Sequence, residues 1–176
     1  MNIVWWNGPS RTQFDHIPRQ QLEVGCNFIA KHRTVDHVCA YDRQVIDLIQ
    51  PQPNTQYWTR RNYAQGVWQL TPAPLRLATW KNQAGFCSGT LALAVALNHG
   101  AEHIHIIGMD WQETNASVYD KEYTWRGYTP TKHSNDKLKF LRHVSEQVQV
   151  TIVHDRPRSF GDKITWVSGK EFLKLF

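Results

Sequence analysis

The sequence predicts an α/β fold, a mostly parallel sheet flanked by helices, and three observations predict it. First, Asn2 to Trp6 and His103 to Ile107 are short apolar runs of strand length that stop at turn-forming residues, Asn7-Gly8-Pro9-Ser10 and Gly108-Met109-Asp110. Second, helix-period segments separate such runs: Leu91 to Leu97 in an Ala-rich stretch, and the stripe Leu138, Leu141, Val144 and Val148. Third, the 176 residues and 41% hydrophobic content suit one continuous core, so residues 1–176 read as a single domain. Strands alternating with helices in this order are the pattern of a doubly wound, Rossmann-like sheet.

Taken in order, Asn2 to Trp6 is a first strand. Val24 to Ala30 and Val35 to Tyr41 read as short β segments, the former interrupted by Gly25. Asp42 is placed to cap a helix carrying Val45, Ile46 and Ile49, which Pro51 stops. Between residues 51 and 86, Pro51, Pro53, Pro72 and Pro74 break the pattern, and at most two short strands fit, around apolar groups such as Tyr57-Trp58 and Val67-Trp68. Ser88-Gly89-Thr90 then opens a buried helix, with Ser88 as cap and Gly100 as its close. His103 to Ile107 follows as a strand. Residues 111–133 are polar, rich in Tyr and Trp and without period, as a lid loop over a site would be. Ser134 or Asn135 caps the next helix, Val150 to His154 is a strand, and Ile164 to Val167 another. Ser168 with Glu171 forms a capping box for a last helix carrying Phe172, Leu173 and Phe176.

Composition narrows the class of function. The formal charge of +5 favours an anionic ligand, a nucleotide or phosphate, but Lys and Arg are scattered, and the densest group, Arg60-Arg61, is only a pair. Nucleic acid is therefore the weaker expectation. Cys26, Cys39 and Cys87 are odd in number and lack C-x-x-C spacing, which argues against a disulfide framework or zinc ribbon and for reduced thiols in a cytoplasmic setting. No segment approaches the ~20 apolar residues of a membrane helix. The eight Trp, seven Phe and six Tyr exceed what one core needs, which points to rings lining a site or a self-association surface.

The chemistry candidates sit where strands end and helices begin. In Asn7-Gly8-Pro9-Ser10, backbone amides and a small Gly let a phosphate or ribose approach, although a plain turn needs the same residues. Ser88 and Gly89 stand at a helix N-terminus whose partial positive charge suits a carboxylate or phosphate; capping uses the same groups, and the sequence leaves both open. Asp110, after a central strand, is placed to accept from sugar hydroxyls. His103 and His105 share a strand face but lack a third ligand, so no metal site is assigned. His133, between the lid and a helix start, is a candidate general base.

Asn7-Gly8-Pro9-Ser10, Cys26-Asn27, Ser88-Gly89 before an Ala-rich helix, Gly108-Met109-Asp110, Asn115-x-Ser117-x-Tyr119 and His133-Ser134 occur in one order along the chain. In that order they resemble the bacterial lipooligosaccharide sialyltransferases, a Rossmann-like family that is itself similar to the hydroxymethylpterin diphosphokinase-like proteins. The resemblance implies a glycosyltransferase that needs no metal or other cofactor, with a nucleotide-sugar as donor and a hydroxyl, of a glycan for example, as acceptor. It implies that Asn7, Gly8 and Ser10 contact the nucleotide, that Asp110 holds its ribose and that Asn27, Ser88 and Gly89 face the donor. His133 would be the general base, and Tyr119 would hydrogen-bond the departing phosphate. The chain departs from that pattern at Trp6, where the family has Gly, and at Gln112, with Tyr123 or Tyr128 as the replacement for a second lid tyrosine. The segments before the Ser88 helix and in the lid are also shorter. Two other functions remain in view: a phosphoryl transferase of the diphosphokinase kind, and a non-catalytic module that binds nucleotide or nucleic acid.

Overall fold

β1, Asn2–Trp5, is hydrogen-bonded on both sides, to β2 (Leu22–Cys26) with Val4 opposite Val24, and to β6 (His103–Ile107) with Val4 opposite Ile106. The computed structural model describes residues 1–59, 70–72, 87–110, 134–156 and 163–176, with backbone alone at 70–72 and 134–136. Beyond β2 lie β3 (His37–Cys39), β4 (Gln56–Thr59) and β5 (Leu70–Pro72); beyond β6 lie β7 (Gln149–Val153) and β8 (Ile164–Val167). Among the described residues the sheet has eight strands in the order β5-β4-β3-β2-β1-β6-β7-β8, and every pairing is parallel. The chain thus winds outward from β1 in one direction, returns, and winds outward in the other. This is the doubly wound α/β, Rossmann-like arrangement that the sequence predicts.

Parallel strands need both faces covered, and β1 shows how its residues divide. Ile3 and Trp5 belong to one core, with Phe14, Ile29, Val38, Tyr57 and Phe172; Val4 and Trp6 belong to the other, with Leu91, Leu93, Val95, Ile104, Ile106, Leu141 and Val144. The second core is roofed by α2 (Ser88–Asn98) and α3 (Ser134–Gln147). In α2 every residue from Ser88 to Ala96 is buried, and its alternating Ala and Leu side chains let it lie close on β1, β2 and β3. Each fully buried Leu there contributes about 1.5–3 kcal/mol. The first core is covered by two 3₁₀ helices (Pro9–Phe14 and Ile29–Lys31), by the short α1 (Arg43–Ile46) and by α4 (Gly169–Leu173).

Several elements differ from their sequence reading. Asn27, at φ 54°, ends β2, so the run to Ala30 is strand, turn and 3₁₀ helix, and Gly25 lies within the strand. The segment Val35 to Tyr41 contributes strand only at His37–Cys39. Asp42 precedes α1 but its side chain makes no cap bond. Pro9 opens a 3₁₀ helix rather than closing a plain turn. Ser168 Oγ accepts from the Glu171 amide at 3.1 Å, but the Glu171 carboxylate pairs with Lys174 at 2.7 Å, so the capping box is half formed. Val67-Trp68, the Ser134 and Asn135 side chains and the proposed lid lie outside what is described.

A buried ion pair ties β2 to the first core. Glu23, fully buried, receives Arg33 Nε at 2.5 Å and Nη2 at 2.6 Å, and also the Gln20 amide at 2.7 Å and Trp5 Nε1 at 3.2 Å. Arg33 spends further donors on the Ile17 and Pro18 carbonyls at 2.9 and 3.1 Å, and its guanidinium lies 4.6 Å from the Trp5 ring centroid. Removing the cation leaves a buried charge uncompensated. Arg33→Ala is therefore expected to cost about 3–5 kcal/mol, seen as a lower urea midpoint.

Two buried imidazoles link stability to pH. Burial, and then the neighbouring His99, hold His37 down from 6.5 to about 4; burial, and then His103, do the same to His105. Between about 6.5 and 4 the unfolded chain binds protons that the fold refuses. Their contribution is thus complete above about 6.5 and is lost as the pH falls towards 4. Denaturant midpoints measured across that range should fall with acidification, and the His37→Gln, His105→Gln double variant should flatten the slope.

Candidate functional site

The strand order reverses at β1, between β2 and β6, and in open α/β sheets the crevice at the carboxyl ends of strands flanking such a reversal is where ligands bind. The sequence places Asn7 to Ser10 after β1 and Asp110 after β6, on either side of that point. Backbone pairing continues past the strands, with the Trp6 amide on the Ile107 carbonyl at 2.7 Å and the Gly8 amide on the Gly108 carbonyl at 2.9 Å.

Ser10 and Asp110 meet directly. The Ser10 amide donates to Asp110 Oδ2 at 2.7 Å and the Ser10 hydroxyl to Oδ1 at 2.5 Å. Gly8, the residue before the 3₁₀ helix, has no side chain to cap it, and the carboxylate from β6 does so instead. The glycine is required by that approach: a Cβ at Gly8 would lie 2.5 Å from both Asp110 Cγ and the Gly108 carbonyl oxygen. Asp110 is 5% exposed. His154, directly after β7, also lies near this carboxylate, with Nε2 at 3.6 Å from Asp110 Oδ1.

A second pair forms one strand away. Asn27, after β2, accepts the Ser88 hydroxyl on Oδ1 at 2.7 Å, while Ser88 Oγ accepts the Tyr41 amide at 3.0 Å and the Asn27 amide donates to the Cys39 carbonyl at 2.9 Å. Ser88 is thus not the cap of α2. Cys87 holds that position, its amide donating to Thr90 Oγ1 at 2.8 Å, and Ser88 is freed to join the ends of β2 and β3. Asn27 Oδ1 thus accepts from Ser88 beside the N-terminus of α2, and the side-chain amide of Asn27 also carries two N–H donors.

Trp6 links the two pairs. It is 7% exposed and packs in the α2 core, where a Cβ on Gly89 would run into its indole ring. Among the described residues its buried Nε1 has no hydrogen-bond partner, nor has Asn7 Oδ1. Trp6 therefore fills the space between β1 and the first turn of α2. Gly89→Ala should cost about 1–3 kcal/mol by overpacking, and much less in a Trp6→Ala background. A double-mutant cycle in urea would read the coupling between the two positions.

Asn7, Gly8, Ser10, Asn27, Ser88, Gly89 and Asp110 are thus all at the carboxyl end of the sheet; Ser10 pairs with Asp110 and Asn27 with Ser88, and Trp6 packs against Gly89. His133, Tyr119, Tyr123, Tyr128 and Gln112 lie outside the described residues. His154 was missed by sequence reading, which took it only as the end of a strand; its position immediately after a strand, like Asn7 and Asp110, was the available signal. Cys26 and Cys39 face each other in register on β2 and β3, and burial raises both thiols well above their usual range, so they are protonated core residues. The His103 and His105 rings lie tilted against each other with centroids 4.1 Å apart, and His103 Nε2 contacts Thr151 Oγ1 at 2.8 Å. Among the described residues no group of three His, Cys, Asp or Glu is arranged to hold a metal ion, and no helix is long and apolar enough to cross a membrane. An open cavity of about 710 Å³ lies at the opposite, amino end of the strands, between Gln21, His37, Asn54, Gln56 and His99. It is separate from these pairs.

No protein-family model matches this chain, and no curated protein matches it in sequence. Its fold is similar to that of solved sialyltransferases. One is the sialyltransferase CstII from Campylobacter jejuni in complex with the substrate analogue CMP-3FNeuAc, with a TM-score of 0.56 and 13% identity over 86% of this chain and 80% of that one. Another is CST-II in complex with a trisaccharide acceptor and CMP, with a TM-score of 0.54 and 12% identity over 87% and 80%. At these identities the likeness is one of fold.

Proposed function

We propose that this protein is a metal-independent glycosyltransferase that moves a sugar from a nucleotide-sugar to an acceptor hydroxyl. The observation that carries the reading is the meeting of the Asn7–Ser10 turn with Asp110 at the reversal of strand order, in a chain with the fold of enzymes bound to CMP and a CMP-sugar analogue. In this reading the nucleotide lies over that turn. The sugar extends towards Asn27, Ser88 and Gly89, where the Asn27 side-chain amide and the N-terminus of α2 suit an anionic or hydroxyl-rich group. His133 takes the proton from the acceptor hydroxyl as its oxygen attacks the anomeric carbon, the bond to the nucleotide phosphate breaks, and Tyr119 donates to the departing phosphate.

The alternative of Mg²⁺-dependent phosphoryl transfer is less favoured. It needs carboxylates free to hold the ion, the sequence has no D-x-D pair, and both oxygens of Asp110 already accept from Ser10.

Thermal-shift and turnover measurements test the proposal together. CMP or UMP at a hundred times Kd should stabilise the fold by about 2.7 kcal/mol. His133→Ala should keep that shift while losing transfer by a factor of roughly 10²–10⁴, and transfer by the wild type should persist in EDTA. Stabilisation by polynucleotide alone, erased steeply by salt, would instead identify a nucleic-acid-binding module.

A further inference from the structure

The open cavity at the amino end of the strands has no part in the proposed transfer. Across five-residue strands that rise about 3.3 Å per residue, it lies roughly 16 Å from the pairs at the carboxyl end. Its volume of about 710 Å³ falls within the roughly 300–1,000 Å³ of small-molecule sites. His37, at the start of β3, lines it and is only 7% exposed. Trp58 Nε1 can only donate, so at 3.2 Å it obliges His37 Nδ1 to accept. Burial, and after it His99, hold this imidazole at about 4, so at neutral pH it is uncharged and carries its one proton on Nε2. Among the described residues that N–H has no hydrogen-bond partner.

The neighbouring groups are of the opposite kind. The Thr55 hydroxyl gives its proton to the Val35 carbonyl at 3.0 Å, which leaves lone pairs on Oγ1. Asp36 accepts the Glu23 amide at 2.9 Å and pairs with Arg19, which balances its charge. Asn54 and Gln56, the latter opposite His37 in register, are exposed, and each amide both donates and accepts. The His99 ring stacks on His37 with centroids 4.1 Å apart and 24° between planes, a flat surface beside these polar groups. This set suits neither a metal ion nor a phosphate. A metal needs a ring lone pair, but His37 Nδ1 is spent on Trp58 and Nε2 holds a proton. A phosphate oxygen only accepts, and it would meet Thr55 lone pairs and the Asp36 carboxylate with no Lys or Arg among the described lining residues to hold it. A hydroxyl accepts from His37 and donates to Thr55 or Asp36 at once.

We infer that this cavity is a second binding site, for a neutral sugar, with one sugar hydroxyl accepting from His37 Nε2 and the others held by Thr55, Asn54 and Gln56. Several hydroxyls on a ring match the mixed donors and acceptors, and the C–H face of that ring matches the flat imidazole of His99. The distance to the carboxyl end means that a sugar held here is not the one transferred there. The site does not depend on the proposed function.

Nitrogen NMR with sugar titration of the full chain tests this. The His37 ring should show a protonated Nε2 and an unprotonated Nδ1 at neutral pH; the opposite tautomer overturns the inference. Glucose, galactose, maltose and lactose are the probes, and at least one should shift the His37 Nε2–H and Trp58 Nε1–H signals saturably, with a Kd on the order of 1 mM. Asn54, at φ 62°, has a conformation that glycine adopts freely, so Asn54→Gly removes the amide and keeps the turn. It should weaken that sugar roughly tenfold, as loss of about one hydrogen bond does, and Gln56→Ala should do the same. Binding that neither variant weakens, a response to inorganic phosphate or Zn²⁺ but to no sugar, or no response to any probe overturns the inference. CMP should not displace the sugar; displacement would put the sugar in the transfer site and overturn the inference as well.

Discussion

The constraint on which this structure depends is the parallel pairing of β1 with two partners at once. Because β2 and β6 both run alongside it in the same direction, the segments leaving all three strands emerge at one end of the sheet. The turn after β1, Asn27 after β2 and Asp110 after β6 thereby become neighbours although up to about a hundred residues separate them in the chain. An antiparallel partner on either side would have sent one of these groups to the opposite end. The site is in this sense a product of strand direction before it is a product of side chains.

Rigid polar bonds then fix what strand direction brings together. Asp110 supplies the cap that Gly8 lacks, and Ser88 joins the ends of β2 and β3 through Asn27 and Tyr41. Trp6 occupies the volume between the two pairs, where Gly89 leaves room for it. Behind them, the Glu23 and Arg33 pair holds β2 against the 3₁₀ helix segment through carbonyls at Ile17 and Pro18. Ser10, Asp110, Asn27 and Ser88 are thus held by bonds already made.

The sequence made the architecture readable because its strongest signals are local. The strand His103–Ile107 is where the apolar run and Gly108 place it, and the Ala-rich helix begins at Ser88 as expected. Local signals also misled. Ser88 before Gly-Thr looks like a cap, yet Thr90 serves Cys87 and Ser88 turns to a partner 61 residues earlier. Asn27 took a left-handed conformation that no neighbouring residue announced, and it shortened a run that apolar content alone would extend. The pairing of Ser10 with Asp110 and the approach of His154 are tertiary facts, decided by strand order, and a polar residue at a strand end carries no mark of which other end it will meet. Asn7, Gly8, Ser10, Asn27, Ser88, Gly89 and Asp110 were legible as candidates; their partners were not.

The long separation between β1 and β6 has a consequence for how the chain matures. During synthesis Asn2–Trp5 can pair with Leu22–Cys26 almost at once, but its other edge has no partner until His103–Ile107 has been made. For that interval the central strand presents bare amides and carbonyls along one side, a template on which a foreign strand can add. Closure of this gap, with its large loss of chain entropy, belongs to the slow non-local steps of folding. A nascent chain halted before residue 103 would hold the turn after β1 without the carboxylate that caps it.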